Sequence, residues 1–354
     1  MVDIFPILDA CIEQRASDVH LSVGRRPVLR IHGSLIEIDG PTLTKEHLLA
    51  LSKQILPERN AKELEEVGTT DFGYPYKDRI RFRTSVLTQK GCRAVVMRLI
   101  PNKLLSFEQI GLPAAVRDLL TMHRGLVLVT GPTGSGKTTT LATMLDWVNQ
   151  NRDVHIVTIE DPIEFYHEHK KSQVTQREVG ADVPTFAEAM RRVLRQDPDV
   201  ILLGEMRDLE TTSSAITAAE TGHLVFGTLH TTGAARTVDR IIDQYPTAQQ
   251  EQIRSQLAVA LVAVISQILL PTADGKGRVA AFEIMLTTPA IENHIRKCET
   301  FKIPSVIQTS KSQGMQVMDD ALLKLYATGR IGKQEALEAA FDRKSIEQRI
   351  GGGA

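Results

Sequence analysis

Cysteine is scarce in this chain of 354 residues: Cys11, Cys92 and Cys298 lie far apart and form no C-x-x-C pair. That spacing signals neither a disulfide framework nor a zinc site, and an odd, sparse count suits a reducing compartment. Charge of one sign is missing as well. Lys and Arg number 42 against 43 Asp and Glu, for a net charge of −1, so no global field draws the chain to nucleic acid or acidic membranes. Aromatic residues make up 5%, which leaves no obvious stacking platform for single strands. The longest apolar run, Leu257 to Leu270, is interrupted by Ser266 and Gln267. It falls short of the roughly 20 residues that span a bilayer and reads as a buried core helix. The N-terminus, MVDIFPILDACIEQR, carries no basic region ahead of a long apolar stretch, so no signal peptide is read. The expectation is a soluble, cytoplasmic protein with no nucleic-acid partner and no direct membrane insertion.

What is present divides the chain in two, as its length suggests. Residues 1–100 read as short strands with a few helices. Pro27 to Gly33 alternates and ends at a turn. Arg79 to Arg83 alternates strictly, and Lys90-Gly91 separates it from Arg93 to Ile100, a hairpin with arginines on one face. Pro101, Gly111 and Pro113 mark a linker over 101–115. From 116 to 354 apolar runs alternate with helical segments. Leu126–Val129, Val154–Val157, Val200–Leu203 and Leu224–Gly227 predict a parallel sheet covered on both faces, an α/β core. Thr185 and Glu188 form a capping box before a helix with Phe186, Ala189, Met190, Val193 and Leu194 on one face. The tail 351–354, Gly-Gly-Gly-Ala, is expected to be disordered.

Directly after the first apolar run comes Gly131-Pro132-Thr133-Gly134-Ser135-Gly136-Lys137-Thr138, a full G-x-x-x-x-G-K-[ST] match. Its glycines let backbone N–H groups turn inward around phosphate oxygens. Lys137 reaches for the β- and γ-phosphates of ATP and the Thr138 hydroxyl for Mg²⁺. Thr133, Gly134, Ser135, Gly136, Lys137, Thr138 and Thr139 are the nucleotide-binding candidates. The next three strands end in Glu160-Asp161-Pro162-Ile163-Glu164, Gly204-Glu205-Met206-Arg207-Asp208 and Thr228-Leu229-His230-Thr231-Thr232. Ligands of open α/β sheets sit at the carboxyl ends of the strands, so these groups are expected to face one nucleotide. A single acidic strand end is more often a helix cap or a surface ion pair; three in register with a phosphate loop are not. Glu205 stands where an aspartate normally holds Mg²⁺, so Thr138 and Glu205 are the metal candidates. Glu164 or Glu160 can orient the attacking water, and His230 can sense the γ-phosphate. Elsewhere plainer readings win. His167 and His169 are too few for a metal site and read as solvated, and Arg191, Arg192 and Arg195 as a solvated face. No N-K-x-D follows the sheet, which disfavours GTP.

Together these motifs resemble the secretion ATPases of type II secretion and type IV pili, and within them the pilus retraction branch. The likeness also takes in Ala16-Ser17-Asp18-Val19-His20-Leu21 and Gly314-Met315-Gln316-Val317-Met318-Asp319. It implies an N-terminal PAS-like domain joined to a RecA-like core, assembled as a homohexamer. Such a ring acts as a Mg²⁺-dependent ATPase motor on an inner-membrane pilus platform protein, at the inner face of the cell membrane. It also implies that arginines of the N-terminal hairpin, here Arg81 and Arg83, help neutralise the phosphates. The longer N-terminal region and four-cysteine zinc site of extension and secretion members are missing. The retraction branch's late Ala-Ile-Arg-Asn-Leu-Ile-Arg-Glu motif appears as Ala290-Ile291-Glu292-Asn293-His294-Ile295-Arg296-Lys297. The alternatives are an extension or secretion ATPase, or a nucleotide-gated scaffold without turnover.

Overall fold

The computed structural model describes residues 2–31, 33–77, 80–100 and 104–351. His32, Arg79, residues 101–103 of the expected linker and 352–354 of the tail lie outside the described residues. Two units emerge: Met1–Lys103 with Pro162–Tyr166, and Leu104–Asp161 with His167–Ala354. The end of the acidic segment after the second core strand therefore groups with the N-terminal unit, which no local pattern announced.

The first unit is built on β1 (Asp18–Leu21), β2 (Val28–Ile31), β3 (Ser34–Glu37), β4 (Thr69–Tyr76), β5 (Ile80–Gln89) and β6 (Cys92–Ile100). They form an antiparallel sheet in the order β3-β2-β1-β6-β5-β4. Period-2 alternation sends Val19, Leu21, Leu29, Phe82, Val86, Val95 and Met97 into one core with residues of the helices Phe5–Glu13 and Lys45–Ile55. On the other face the register aligns Arg30, Asp18, Arg98 and Arg83 in a row. Asp18 accepts from Arg98 at 2.8 Å and lies 3.7 Å from Arg30. The expected hairpin forms, with a first strand longer than the strict alternation showed, and Lys90 and Gly91 turn at φ 50° and 70°. Two consecutive positive φ values make the tight turn whose twist matches the strands.

The second unit carries β7 (Gly125–Thr130), β8 (His155–Glu160), β9 (Gln173–Glu178), β10 (Val200–Leu203), β11 (Leu224–Leu229), β12 (Leu261–Pro271) and β13 (Arg278–Leu286). The order is β13-β12-β7-β11-β10-β8-β9, parallel except for the β12–β13 pair. Successive residues of β7 feed opposite faces: Leu126 and Leu128 enter one core, Val127 and Val129 the other. That two-sided burial is why the predicted runs are apolar throughout.

Three expectations change. The run Leu257–Leu270 is not one helix. The helix Thr247–Ala260 ends inside it and β12 starts at Leu261, because a fully buried strand and a buried helix share the same unbroken apolarity. Gly351, counted with the tail, closes the helix Arg343–Gly351. The helix Phe186–Val193 carries half of its capping box: Thr185 Oγ1 accepts from the Glu188 N–H at 3.1 Å. The Glu188 carboxylate pairs instead with Arg191 and Arg192.

Candidate functional site

Parallel pairing sets the carboxyl ends of four strands side by side. Ile159 faces Leu203, Leu203 faces Gly227, and Leu229 faces Thr130. The glycine-rich loop leaves this edge from β7 and becomes the helix Lys137–Asn151. A side chain at Gly131 would run into the Gln267 carbonyl of β12 and lie 2.8 Å from Ser135 Oγ, and Gly136 caps the helix at φ 90°. The backbone can take this path only without side chains there. Gln267, 1% exposed, donates its Nε2–H to the Ser135 carbonyl at 2.6 Å, bracing the loop from β12. Lys137 donates to the carbonyls of Gly131 (2.8 Å) and Pro132 (3.1 Å), which holds its ammonium at the mouth of the loop. Ser135 Oγ is buried without a hydrogen-bond partner among the described residues.

Polar strand ends converge on the loop. His230, after β11, lies 3.0 Å from Glu205 Oε1 through Nε2 and 3.4 Å from Thr133 Oγ1 through Nδ1. An anionic Glu205 makes Nε2 the donor and leaves Nδ1 to accept from the Thr133 hydroxyl. Arg207 Nε donates to the same Glu205 oxygen at 2.6 Å. Burial raises the proton affinity of Glu205, but Arg207 and His230 outweigh it and hold the carboxyl below its ordinary range. Glu205 is fixed by its neighbours: the Gly204 N–H binds the Ile159 carbonyl at 2.8 Å and the Met206 N–H the Thr228 carbonyl at 3.0 Å.

The predicted residues divide between the two units. Thr133, Gly134, Ser135, Gly136, Lys137, Thr138, Thr139, Glu205 and His230 sit along one edge of the second unit. Glu164, Arg81 and Arg83 belong to the first unit. There Arg81 is 6% exposed, with its guanidinium 4.7 Å from the Tyr166 ring centroid, while Arg83 is exposed. One strand face thus carries both arginines, in different surroundings. Glu160 is buried and accepts from Thr158 Oγ1 (2.6 Å) and Gln176 Nε2 (3.1 Å). His167 is half-buried rather than solvated, and burial pushes its imidazole down to about 4.

A cavity of about 880 Å³ opens beside the loop. Ser135, Gly136, Thr139 and Thr140 line one end, and the segment 105–117, β13, the helix Met318–Ala327 and Gln267 and Leu269 of β12 line most of the rest. Part of the expected linker is therefore a wall of this cavity. Sequence reasoning missed it and missed Gln267, although a polar pair interrupting the run Leu257–Leu270 was the visible signal.

The residues present fit a nucleotide and its metal. A glycine cradle, a lysine at its mouth, an orphaned buried hydroxyl at Ser135 and an adjoining cavity suit phosphates, ribose and base. Among the described residues no three His, Cys, Asp or Glu side chains cluster as a metal site. A Mg²⁺ held by Thr138, nucleotide oxygens and water is compatible with that, since Mg²⁺ is commonly bound through few protein ligands.

The family model for type II/IV secretion system proteins matches residues 2–314. The chain is similar to the type IV pilus retraction ATPase PilT of Pseudomonas aeruginosa, 49% identical over 339 residues covering 96% of this chain and 98% of the relative. A twitching motility protein of Neisseria gonorrhoeae is 46% identical, with 90% and 86% covered. The crystal structure of the pilus retraction motor PilT with bound ADP superposes at a TM-score of 0.92 and 46% identity, covering 98% of this chain and 100% of that one. The Legionella pneumophila ATPase DotB superposes at 0.77 and 26% identity, covering 98% and 95%. Among the described residues no helix is long and apolar enough to cross a membrane.

Proposed function

Since this chain belongs to the type II/IV secretion system protein family, we propose that it is an ATPase motor that powers type IV pilus retraction and hence twitching motility. Its α/β architecture is an N-terminal domain followed by a RecA-like core. The observation that carries the proposal is the convergence of Lys137, Thr133, His230 and Glu205 on one glycine loop, in a chain alike over nearly its full length to a retraction ATPase.

In this reading the loop N–H groups and Lys137 hold the β- and γ-phosphates of ATP, and the cavity takes the ribose and base. Thr138, with Glu205 directly or through water, holds Mg²⁺, which neutralises charge on the phosphate oxygens. Glu164 orients the attacking water, and His230, tied to Thr133 on the loop and to Glu205, senses the γ-phosphate side of the site. The chain works as a homohexamer in the cytoplasm, at the inner face of the membrane, against a platform protein of the pilus base. Within the ring, exposed Arg83 is the hairpin arginine suited to a neighbouring site, while Arg81 holds Tyr166.

Steady-state phosphate release with Mg²⁺ tests the chemistry. Lys137→Ala is expected to lower it by about 10²–10³-fold, the usual cost of removing a charge-stabilising donor. Near-normal release in that variant would refute the loop's role, and no release in the unmodified protein would leave a nucleotide-gated scaffold. One observation favours a related machine as second reading: Glu292 stands where the retraction motif has arginine and pairs with Arg296 at 2.7 Å. Deleting the gene separates the two, because piliated cells should stop twitching only under the first.

A further inference from the structure

Four residues, 230–233, join the end of β11 to the helix Ala234–Ile242. His230 is the first of them, so its position depends on where that helix begins. The helix has no side-chain cap of its own, because its cap residue is Gly233. Its first N–H groups are held from a distance instead. The Gly233 N–H donates to Ser266 Oγ at 2.9 Å and the Ala234 N–H to Glu283 Oε1 at 2.7 Å. Ser266 and Glu283 stand directly opposite each other on β12 and β13. This cross-strand pair forms a two-point clamp on the turn that follows the histidine.

Glu283 has a second client. The helix Met318–Ala327 also lacks a side-chain cap, and its Met318 N–H donates to Glu283 Oε2 at 3.4 Å. One carboxylate thus receives the starts of two helices, where negative charge is favoured. Burial pushes that carboxyl up, while the two backbone N–H groups favour its charged form. The same C-terminal segment returns to the histidine turn by another route. Asp319 accepts from the Phe341 and Asp342 N–H groups at 2.8 and 2.9 Å. Phe341 is thereby laid beside Gly233, where a Cβ would lie 3.6 Å from its ring, with Arg236 5.9 Å from the ring centroid.

We infer that Glu283 is a positioning residue for ATP hydrolysis: it fixes the turn that carries His230 and ties that turn to the C-terminal helices, so that a shift of those helices is felt at the histidine. This rests on the ATPase reading above and deepens it, since it gives the C-terminal helices a physical connection to the chemistry.

The test is a cycle of Glu283→Gln with His230→Ala in the full chain. An amide keeps the shape but cannot accept with both atoms, so the turn should loosen while the phosphate loop is untouched. Glu283→Gln is expected to lower kcat about 10-fold, with KM for ATP little changed, a loss below the about 10²-fold that a full 1 Å misplacement can cost. In a His230→Ala background the same substitution should cost almost nothing more, because the two act through one path. Without any nucleotide, amide hydrogen exchange in residues 231–237 should quicken in Glu283→Gln. Phe341→Ala, at an exposed ring, serves if the first variant does not fold: it should quicken the same amides and lose its kinetic effect in the same background. Equal losses with and without His230, a selective rise in KM, or unchanged exchange would overturn the inference while leaving the ATPase intact. An unmodified protein that releases no phosphate would instead bring down the ATPase reading, and this inference with it.

Discussion

His167 Nδ1 is buried without a hydrogen-bond partner among the described residues, and its ring stays neutral in the fold down to about pH 4. Released by unfolding, the same imidazole takes a proton near its ordinary 6.5. The unfolded chain therefore binds more protons between these values, so stability falls as pH drops from about 6.5 to 4 and levels off below. Each pKa unit corresponds to about 1.4 kcal/mol, less for a group that keeps some exposure. Replacing the ring by His167→Gln should flatten this loss, and urea midpoints at pH 7 and pH 5 for both proteins check it; parallel losses would refute it. From sequence this histidine read as solvated because its neighbours are charged. The placement of Lys137, Thr138 and His230 at one sheet edge was legible for the opposite reason, since each lies in a local pattern at a strand end. Gln267 and Glu283 act on residues over a hundred and about fifty positions away, and no local pattern encodes such a partner.

At the scale of elements, the hairpin of β5 and β6 was legible because alternation and a two-residue turn are both short-range signals. Its turn holds a non-glycine residue, Lys90, at φ 50°, a left-handed conformation that costs an ordinary side chain about 1–2 kcal/mol. Asn tolerates it better and is favoured before Gly in this turn. Lys90→Asn should therefore stabilise the chain by up to about 1 kcal/mol, read as a higher urea midpoint with unchanged slope; a lower midpoint would show that Lys90 holds the turn by contacts of its side chain. The stretch Leu257–Leu270 shows the limit of such signals. Composition showed that it is buried, but the change from helix to strand at Leu261 is set by its place beside β7 and β13, which only the assembled sheet provides.

For the molecule as a whole, the proposed ring makes a definite demand on Arg83. If it completes a neighbour's site, Arg83→Ala and Lys137→Ala proteins, each nearly inactive, should recover part of the wild-type phosphate release when mixed. Some junctions of a mixed ring then carry both intact halves. An added arginine can contribute about 10³–10⁵-fold in phosphoryl transfer, so even a small share of repaired junctions should be measurable. No recovery in rings shown to have exchanged subunits would exclude a trans-acting Arg83.

The path of the chain through its two units bears on how the protein is made. The first unit is left before Leu104, rejoined at Pro162 and left again after Tyr166. Ile163 and Phe165, 4% and 8% exposed, are buried residues of that returning segment. A nascent chain that has delivered only its first hundred residues still lacks this piece, and about sixty more must clear the ribosome before it arrives. The core of that unit is drawn from residues between Ile4 and Met97 and contains neither Ile163 nor Phe165, so the early residues can gather their apolar side chains before the returning segment is made. A fragment ending near residue 100 would keep that core and lack only the segment that returns at Pro162.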